Sequence, residues 1–440
     1  MGYDEVMPLI RENGVEVIRL LFCDVLGRMK GLSIAVDEID RAVEEGIAFD
    51  GSSVEGFVRI EESDLIAVPD LDTFRIFPFQ TGGVLSAMFI CDVHYPNGQP
   101  LETDPRRVLK RALDRANQAG FDNFFVGPEL EYFYFPDEYN AKPLDAAGYF
   151  DVMPLDRSAE ARKRTLSVLR SLGISMEASH HEVAPSQHEI DYRYTDALTM
   201  ADQIMISKLV VKEVAREHGI YASFMPKPIE NINGSGMHVH QSLFTGVTNR
   251  FYSAEDEYNI SAAGRQYIAG LLRHAREITS VTNQWVNSYK RLIPGYEAPA
   301  YITWGRRNRS ALVRVPALKI DRPNSCRVEY RAPDAAANPY LAFAVLLSAG
   351  LHGIEHEYDL PKPMEADVFR MSGREKTELA IHSLPGDLFG AAKETSKSAL
   401  VRDTLGEELF DKFLANKFEE WNQYRIRVTD YELKTYLPVL

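Results

Sequence analysis

Before Thr103 the apolar residues fall into short runs, 15–24, 29–36 and 84–93, separated by Leu26 and Gly27 and closed by Tyr95-Pro96-Asn97-Gly98. Runs of that length between turn formers predict a small domain built mainly of strand. At Thr103-Asp104-Pro105 the pattern changes. A polar cap, a proline suited to the first helical turn, then Val108, Leu109, Ala112, Leu113 and Ala116 at helical spacing, and Gly120 as a stop predict a helix. The expected domain boundary is therefore at Thr103, giving domains 1–103 and 104–440.

Beyond Thr103 helical patterns are expected from a Ser158 cap to Leu172, over 196–218 and over 261–280, with Gly173 and Gly219 stopping the first two. Extended pieces fall at 124–135, 174–179, 189–194, 221–225, 236–244, 311–315 and 327–331. Strands outside a regular βαβ repeat argue for an antiparallel α+β catalytic domain, its sheet flanked by helices. The most apolar window, 341–354, is broken by Ser348, Gly350, His352 and Gly353 and is too short to cross a bilayer, so it reads as a buried core helix.

Charge narrows the partners. The 440 residues carry 64 Asp and Glu against 49 Lys and Arg, a net charge of -15. That balance opposes nonspecific attraction to nucleic acid and to anionic membranes, and leaves small polar substrates and metal ions. Cys23, Cys91 and Cys326 follow no metal-binding spacing and fit reduced thiols. The acidic opening residues show no secretory pattern, so a cytoplasmic location is expected.

Three segments repeat one device: functional side chains two residues apart, which a strand turns to one face. They are Glu129-Leu130-Glu131, His238-Val239-His240 and Arg327-Val328-Glu329-Tyr330-Arg331. A lone Glu-x-Glu is often a solvated face, but Phe124, Phe125 and the aromatic run 132–135 favour a covered strand. Glu182 and Glu189 have odd spacing, and the intervening Pro185 and Ser186 offer a way to turn both to one side. If these carboxylates converge with His238, each pair about 4 Å apart costs about 4 kcal/mol at an effective dielectric of 20, a penalty that divalent cations remove. Oxygen-rich ligation with one imidazole suits Mg²⁺ or Mn²⁺. The basic group Lys290, Arg291, Arg306, Arg307, Arg309 and Arg314 in so acidic a chain points to an anionic substrate, and arginines beside carboxylate-held metal suit phosphoryl transfer.

In order, Phe49-Asp50-Gly51-Ser52-Ser53, Gly127-Pro128-Glu129-Leu130-Glu131, Met225-Pro226-Lys227-Pro228, Asn233-Gly234-Ser235-Gly236-Met237-His238-Val239-His240, Asn287-Ser288-Tyr289-Lys290-Arg291-Leu292, Pro294-Gly295-Tyr296-Glu297-Ala298-Pro299, Arg307-Asn308-Arg309-Ser310 and Ala337-Asn338-Pro339-Tyr340 resemble type I glutamine synthetases, over nearly the whole chain. The resemblance implies a β-grasp-like N-terminal domain. It implies one metal site on Glu131, Glu182 and Glu189 and a second on Glu129, His238 and Glu329. Nucleotide contacts fall on Glu177, Tyr194, His240, Ser242, Arg309, Arg314 and Arg327, with Asn324 departing from a lysine found in some relatives. Glutamate contacts fall on Asn233, Gly234, Arg291, Glu297 and Arg331.

The implied reaction phosphorylates the glutamate γ-carboxylate with ATP and then displaces phosphate with ammonia. Asp50, Glu297 and Arg309 carry its catalytic roles. Two readings compete, a γ-glutamyl ligase for a polyamine or other amine and an inactive structural or regulatory assembly. Asp50 and Glu297 together favour ammonia. The resemblance further implies a dodecamer of two stacked hexameric rings, with regulatory proteins as further partners. Gly56-Phe57-Val58-Arg59-Ile60-Glu61-Glu62-Ser63-Asp64 resembles the shorter, alpha subgroup, where an Arg at the Arg59 position supports feedback inhibition by glutamine. The longer subgroup is adenylylated on a tyrosine; here the matching count reaches Phe369, with Tyr358 the nearest tyrosine.

Overall fold

The computed structural model describes residues 1–52, 54, 64–306, 308, 310–318 and 322–440; Ser53, Arg59, Arg307 and Arg309 lie outside the described residues. Two sheets organise the chain. The first holds β1 (Val17–Cys23), β2 (Met29–Ala35), β3 (Ile47–Asp50), β4 (Asp64–Pro69), β5 (Arg75–Thr81) and β6 (Val84–His94). Its order is β2-β1-β6-β4-β3, with β5 also on β6, and only the β1–β6 pair is parallel. The 15–24, 29–36 and 84–93 runs thus become β1, β2 and β6.

Two helices accompany the strands of this part without having been singled out in the sequence, α1 (Tyr3–Glu12) and α2 (Ile39–Glu44). α1 contains Pro8, which masks it in the sequence, yet the Glu5 carboxylate reaches back to the Gly2 N–H and closes its first turn. Alternation along β1 then sorts the core. Ile18 and Leu20 pack with Val6, Ile10 and Ile39 of α1 and α2, while Leu21 and Cys23 belong to the larger core shared with the rest of the chain.

α3 (Pro105–Gln118) starts as expected, capped by the Asp104 carboxylate on the Arg106 N–H. Its Arg106, 2 % exposed, bonds Asp70 and Asp92 of the first sheet region at 2.7 and 2.6 Å, and Asp202 of the second part at 2.9 and 3.1 Å. A buried guanidinium holding three carboxylates fixes the two parts against each other.

The second sheet contains β7 (Asn123–Phe135), β8 (Met176–His181), β9 (Gln187–Tyr192), the short β10 (Thr195–Asp196), β11 (Tyr221–Ser223), β12 (Met237–Thr245), the short β13 (Thr248–Asn249), β14 (Tyr301–Gly305), β15 (Ala311–Arg314) and β16 (Val328–Tyr330). Its main path is β14-β15-β16-β12-β7-β9-β8, antiparallel except for β14–β15. Helices α4 (Ala159–Ser171) and α5 (Ala197–Glu217) fall where expected. The helix expected over 261–280 is two, α6 (Ala262–Arg273) and α7 (Ala275–Thr282), because His274 leaves helical geometry with ψ at 4°. α8 (Ser288–Arg291) follows, and the apolar window becomes α9 (Pro339–Glu355), buried along almost its whole length. Among the described residues no helix is long and apolar enough to cross a membrane. All three cysteines are free and buried.

Candidate active site

Antiparallel pairing decides which side chains meet. β12 sets His238 opposite Glu129; β9 sets Glu189 opposite Glu131 and Asp191 opposite Glu129. β16 brings Glu329 opposite His240, and β15 brings Arg314 opposite Glu329. All these groups line two adjoining cavities on one face of the sheet, about 460 and about 170 Å³, and Glu129 and Asp191 line both.

Glu182 and Glu189 reach the larger cavity together because β8 and β9 form a hairpin. The Glu182 N–H donates to the Gln187 carbonyl at 2.8 Å, and Ser186 turns the chain with φ at 62°. Gly234 lines the same cavity and must be glycine, and Gly236 is closely packed against Arg291. A Cβ at Gly234 would sit 2.1 Å from the Pro226 carbonyl, and one at Gly236 2.5 Å from the Arg291 guanidinium.

The donors form two groups whose ligand atoms lie within 4.8 Å of one another, Glu129, His238 and Glu329 in one and His180, Glu182 and Glu189 in the other. Glu131 stands beside the second group, held at 2.8 Å by both the Gln187 amide and the Gly236 N–H. Glu129 accepts from His238 Nδ1 at 2.9 Å and from His240 Nε2 at 2.8 Å. His240 is free to donate there because its Nδ1 accepts from Arg327 at 3.3 Å.

The carboxylates respond oppositely. Burial pushes Glu182 up to about 8, helped by Glu131, and pushes Glu189 well above its ordinary range with Glu131 and Glu129 adding to it. Burial also works against the Glu129 charge, but the two imidazole hydrogen bonds outweigh it and hold Glu129 well below. For Glu329 burial is outweighed by Arg331, His240 and Arg314, which lower it. Even so, Glu329 Oε1 is buried without a hydrogen-bond partner. Crowded acids that resist ionisation, with an orphaned carboxylate oxygen 3.7 Å from His238, are a donor set suited to divalent cations.

Around these groups stand the anion-binding candidates. Asn233, Gly234, Arg291, Glu297 and Arg331 all line the larger cavity. Arg331 contacts Glu329 at 3.5 Å and donates to the Glu297 carbonyl at 3.4 Å; Asn233 donates to the Glu297 carboxylate at 3.2 Å. Glu297 is exposed with φ at 47°, in the segment bounded by Pro294 and Pro299. Glu177, Tyr194, His240, Ser242 and Arg327 line the smaller cavity with Asn324, and Tyr194 is an exposed aromatic there. Arg314, expected with the nucleotide group, lines the larger cavity, where it pairs with Glu329.

Asp50 lines neither cavity; it is exposed at the end of β3 and accepts from the Ser52 N–H at 2.9 Å. Sequence reasoning missed His180, Gln187, Asp191, Tyr149 and Phe150, all lining the larger cavity. Period two from Glu182 and Glu189 points to His180 and Asp191; no such signal marks Tyr149 or Phe150.

Comparisons with known proteins agree with this arrangement. The family model described as glutamine synthetase, catalytic domain, matches residues 102–436, and that described as glutamine synthetase, beta-Grasp domain, matches 14–96. A glutamine synthetase of Thermotoga maritima is 46% identical, covering 99% of this chain and 100% of the relative; one of Mycobacterium tuberculosis is 49% identical, covering 99% and 98%. Among solved structures, a GmaS/ADP complex aligns at TM-score 0.89 and 31% identity over 98% of this chain and 99% of that one. A Plasmodium falciparum glutamine synthetase aligns at 0.89 and 26% identity over 99% of each. Paired strands that gather two sets of metal donors beside buried arginines, and full-length kinship with these enzymes, lead to one conclusion: the chain belongs to the glutamine synthetase family.

Proposed function

We propose that this chain is an ATP-dependent glutamate–ammonia ligase. The observation that carries the reading is the gathering of Glu129, Glu131, Glu182, Glu189, His238 and Glu329 in a cavity also lined by Arg291 and Arg331, which Glu129 joins to one lined by Tyr194 and Arg327. Glutamate belongs in the first, against Asn233, Gly234, Arg291 and Arg331. Adenine and ribose belong in the second, against Glu177, Tyr194, Ser242 and Arg327, and a related chain of this fold has been solved with ADP. ATP phosphates then cross at Glu129, toward Arg314.

Mg²⁺ or Mn²⁺ is the cation we assign, one held by Glu131, Glu182 and Glu189 and a second by Glu129, His238 and Glu329. Bound there, such ions neutralise charge on the transferring phosphoryl group. The glutamate γ-carboxylate oxygen attacks the terminal phosphorus, the bond to the bridging oxygen breaks, and ADP leaves. Arg309 and Arg314 stabilise the oxygens of that group. Asp50 and Glu297 bind ammonium and take its proton; ammonia then adds to the γ-carbonyl carbon and expels phosphate, leaving glutamine. The 294–299 segment carrying Glu297 excludes water, which would otherwise hydrolyse the acyl phosphate.

Domains 1–103 and 104–440 divide these tasks, the first presenting Asp50 and the second holding the remaining groups. A dodecamer of two hexameric rings completes the reading, with Asp50 supplied by a neighbour. A cytoplasmic setting fits three free, buried thiols. Arg59 is assigned to feedback inhibition, and Arg59→Ala should lose inhibition by glutamine relative to the parent. ADP release measured with ammonium, putrescine and ethylamine tests the activity; turnover on either organic amine in preference to ammonium would overturn it.

A further inference from the structure

A segment that the proposed chemistry does not use joins the rim of the larger cavity to its floor. Residues 144–157, between β7 and α4, carry Tyr149 and Phe150, whose rings stack at 4.0 Å and line the cavity. His180 meets both rings edge-on, at 5.3 and 4.7 Å. The Phe150 N–H donates to the His181 carbonyl at 3.0 Å.

Beneath the rim, Asp145 Oδ1 accepts from the Ser186 N–H at 2.9 Å and from His181 Nε2 at 3.2 Å. His181 Nδ1 lies 2.7 Å from the Glu182 carbonyl. Both ring nitrogens thus face oxygens, and His181 and Asp145 form a buried hydrogen-bonded pair with side chains 0 and 1 % exposed. Ser186 closes the network, its buried hydroxyl accepting from the N–H groups of Leu144 and Asp145. A glycine would adopt the φ of 62° at Ser186 without strain, so the hydroxyl is the feature that serine adds.

Glu182 depends on this network more than its neighbours do. Glu129, Glu131, Glu189, His238 and Glu329 all sit within strands, whereas Glu182 follows the last residue of β8. Its backbone is fixed by its own N–H to Gln187 and by His181 on its carbonyl.

We propose that Asp145 is a positioning residue for metal binding, fixing Glu182 and the 182–186 tip against the aromatic segment through His181 and Ser186. The proposal rests on the reading of Glu131, Glu182 and Glu189 as one metal site. It also explains why a carboxylate lining no part of the cavity is buried behind it.

The test is a Mn²⁺ titration of the full-length protein, followed by loss of the free-ion electron paramagnetic resonance signal, without ATP or glutamate. Asp145→Asn should weaken one class of site about tenfold, the size usual for loss of an outer partner, and leave the class held by Glu129, His238 and Glu329 unchanged. Ser186→Gly, which relieves the backbone while removing the hydroxyl, should shift the same class in the same direction. Binding by both variants equal to the parent's overturns the positioning role alone. Equal weakening of both classes marks general loosening and overturns it too. A parent that binds no Mn²⁺ overturns the metal reading and this inference together.

Discussion

Glu131 and Glu189 stand directly opposite each other across β7 and β9, a like-charged pair in an antiparallel ladder. Such a pair destabilises a sheet unless something neutralises it. Glu182, pushed up to about 8, and Glu189, pushed well above its ordinary range, both by burial first, bind protons in the folded chain that the unfolded chain has released. Their folded values lie above the unfolded one, so the stability they contribute is full below an unfolded pKa of about 4.3 and is lost as pH rises toward 8. In EDTA the melting temperature should therefore fall from pH 5 to pH 8. Saturating Mg²⁺ should raise it and flatten that slope. A melting temperature indifferent to EDTA at pH 8 would count against a metal at this pair.

Glu329 is wholly buried, with Arg314 and Arg331 beside it. Glu329→Gln keeps the shape but removes the charge, so turnover at saturating Mg²⁺ should fall by about a hundredfold or more, the scale of losing one group that stabilises transferring charge. Glu329→Ala should go further and destabilise the fold by about 3–5 kcal/mol, because it leaves buried guanidinium charge uncompensated. Steady-state rates and denaturant unfolding measure the two effects separately. Near-normal turnover of either variant would refute the ligand role.

Period two carried much of the site into view from the sequence alone: Glu129 with Glu131, His238 with His240, and Glu329 between two arginines. What it cannot carry is register. Nothing local says that Asp191 comes opposite Glu129, or that Glu129, by accepting from both His238 and His240, stands between two cavities. The pairing of Arg314 with Glu329 is hidden for the same reason, since the two come from neighbouring strands. Helix breaks are equally silent. His274 interrupts a pattern whose apolar spacing continues on both sides, and its ring contact with Glu277 at 3.0 Å has the i,i+3 spacing of an uninterrupted helix, so it gives no sign of the break. Asp145 is 36 residues from its partner His181, a separation no local pattern encodes.

Covalent control by adenylylation should be absent. The position matching the modified tyrosine of the longer subgroup is Phe369, a half-buried ring 6.1 Å from Tyr301 with no hydroxyl to accept the nucleotide. The nearest alternative, Tyr358, is also half-buried; its hydroxyl contacts His352 Nδ1 at 2.9 Å and Arg273 lies 4.5 Å over its ring. Incubation with an adenylyltransferase and labelled ATP should leave the protein unlabelled. Label on any tyrosine, Tyr358 included, would show the assignment to be wrong.

Asp50 is assigned to ammonium, yet in one subunit it lines neither cavity and lies exposed at the end of β3. Its carboxylate is held below the ordinary range by the Ser52 side chain and N–H, so it stays ionised and able to hold a cation. Arg106 fixes the first sheet region against the second through Asp70, Asp92 and Asp202, which gives Asp50 a definite outward position. An outward carboxylate on a fixed domain is suited to completing a neighbour's cavity, and catalysis would then depend on assembly. Asp50→Ala and Glu329→Ala should each be inactive alone. After the two are dissociated, mixed and reassembled, some interfaces pair an intact Asp50 with an intact Glu329, and part of the activity should return. Reassembly is to be followed by mass, with one variant isotopically heavy, so that mixed rings are demonstrated independently of turnover. If mixed rings form and no activity returns, Asp50 serves its own subunit or plays no part in the reaction.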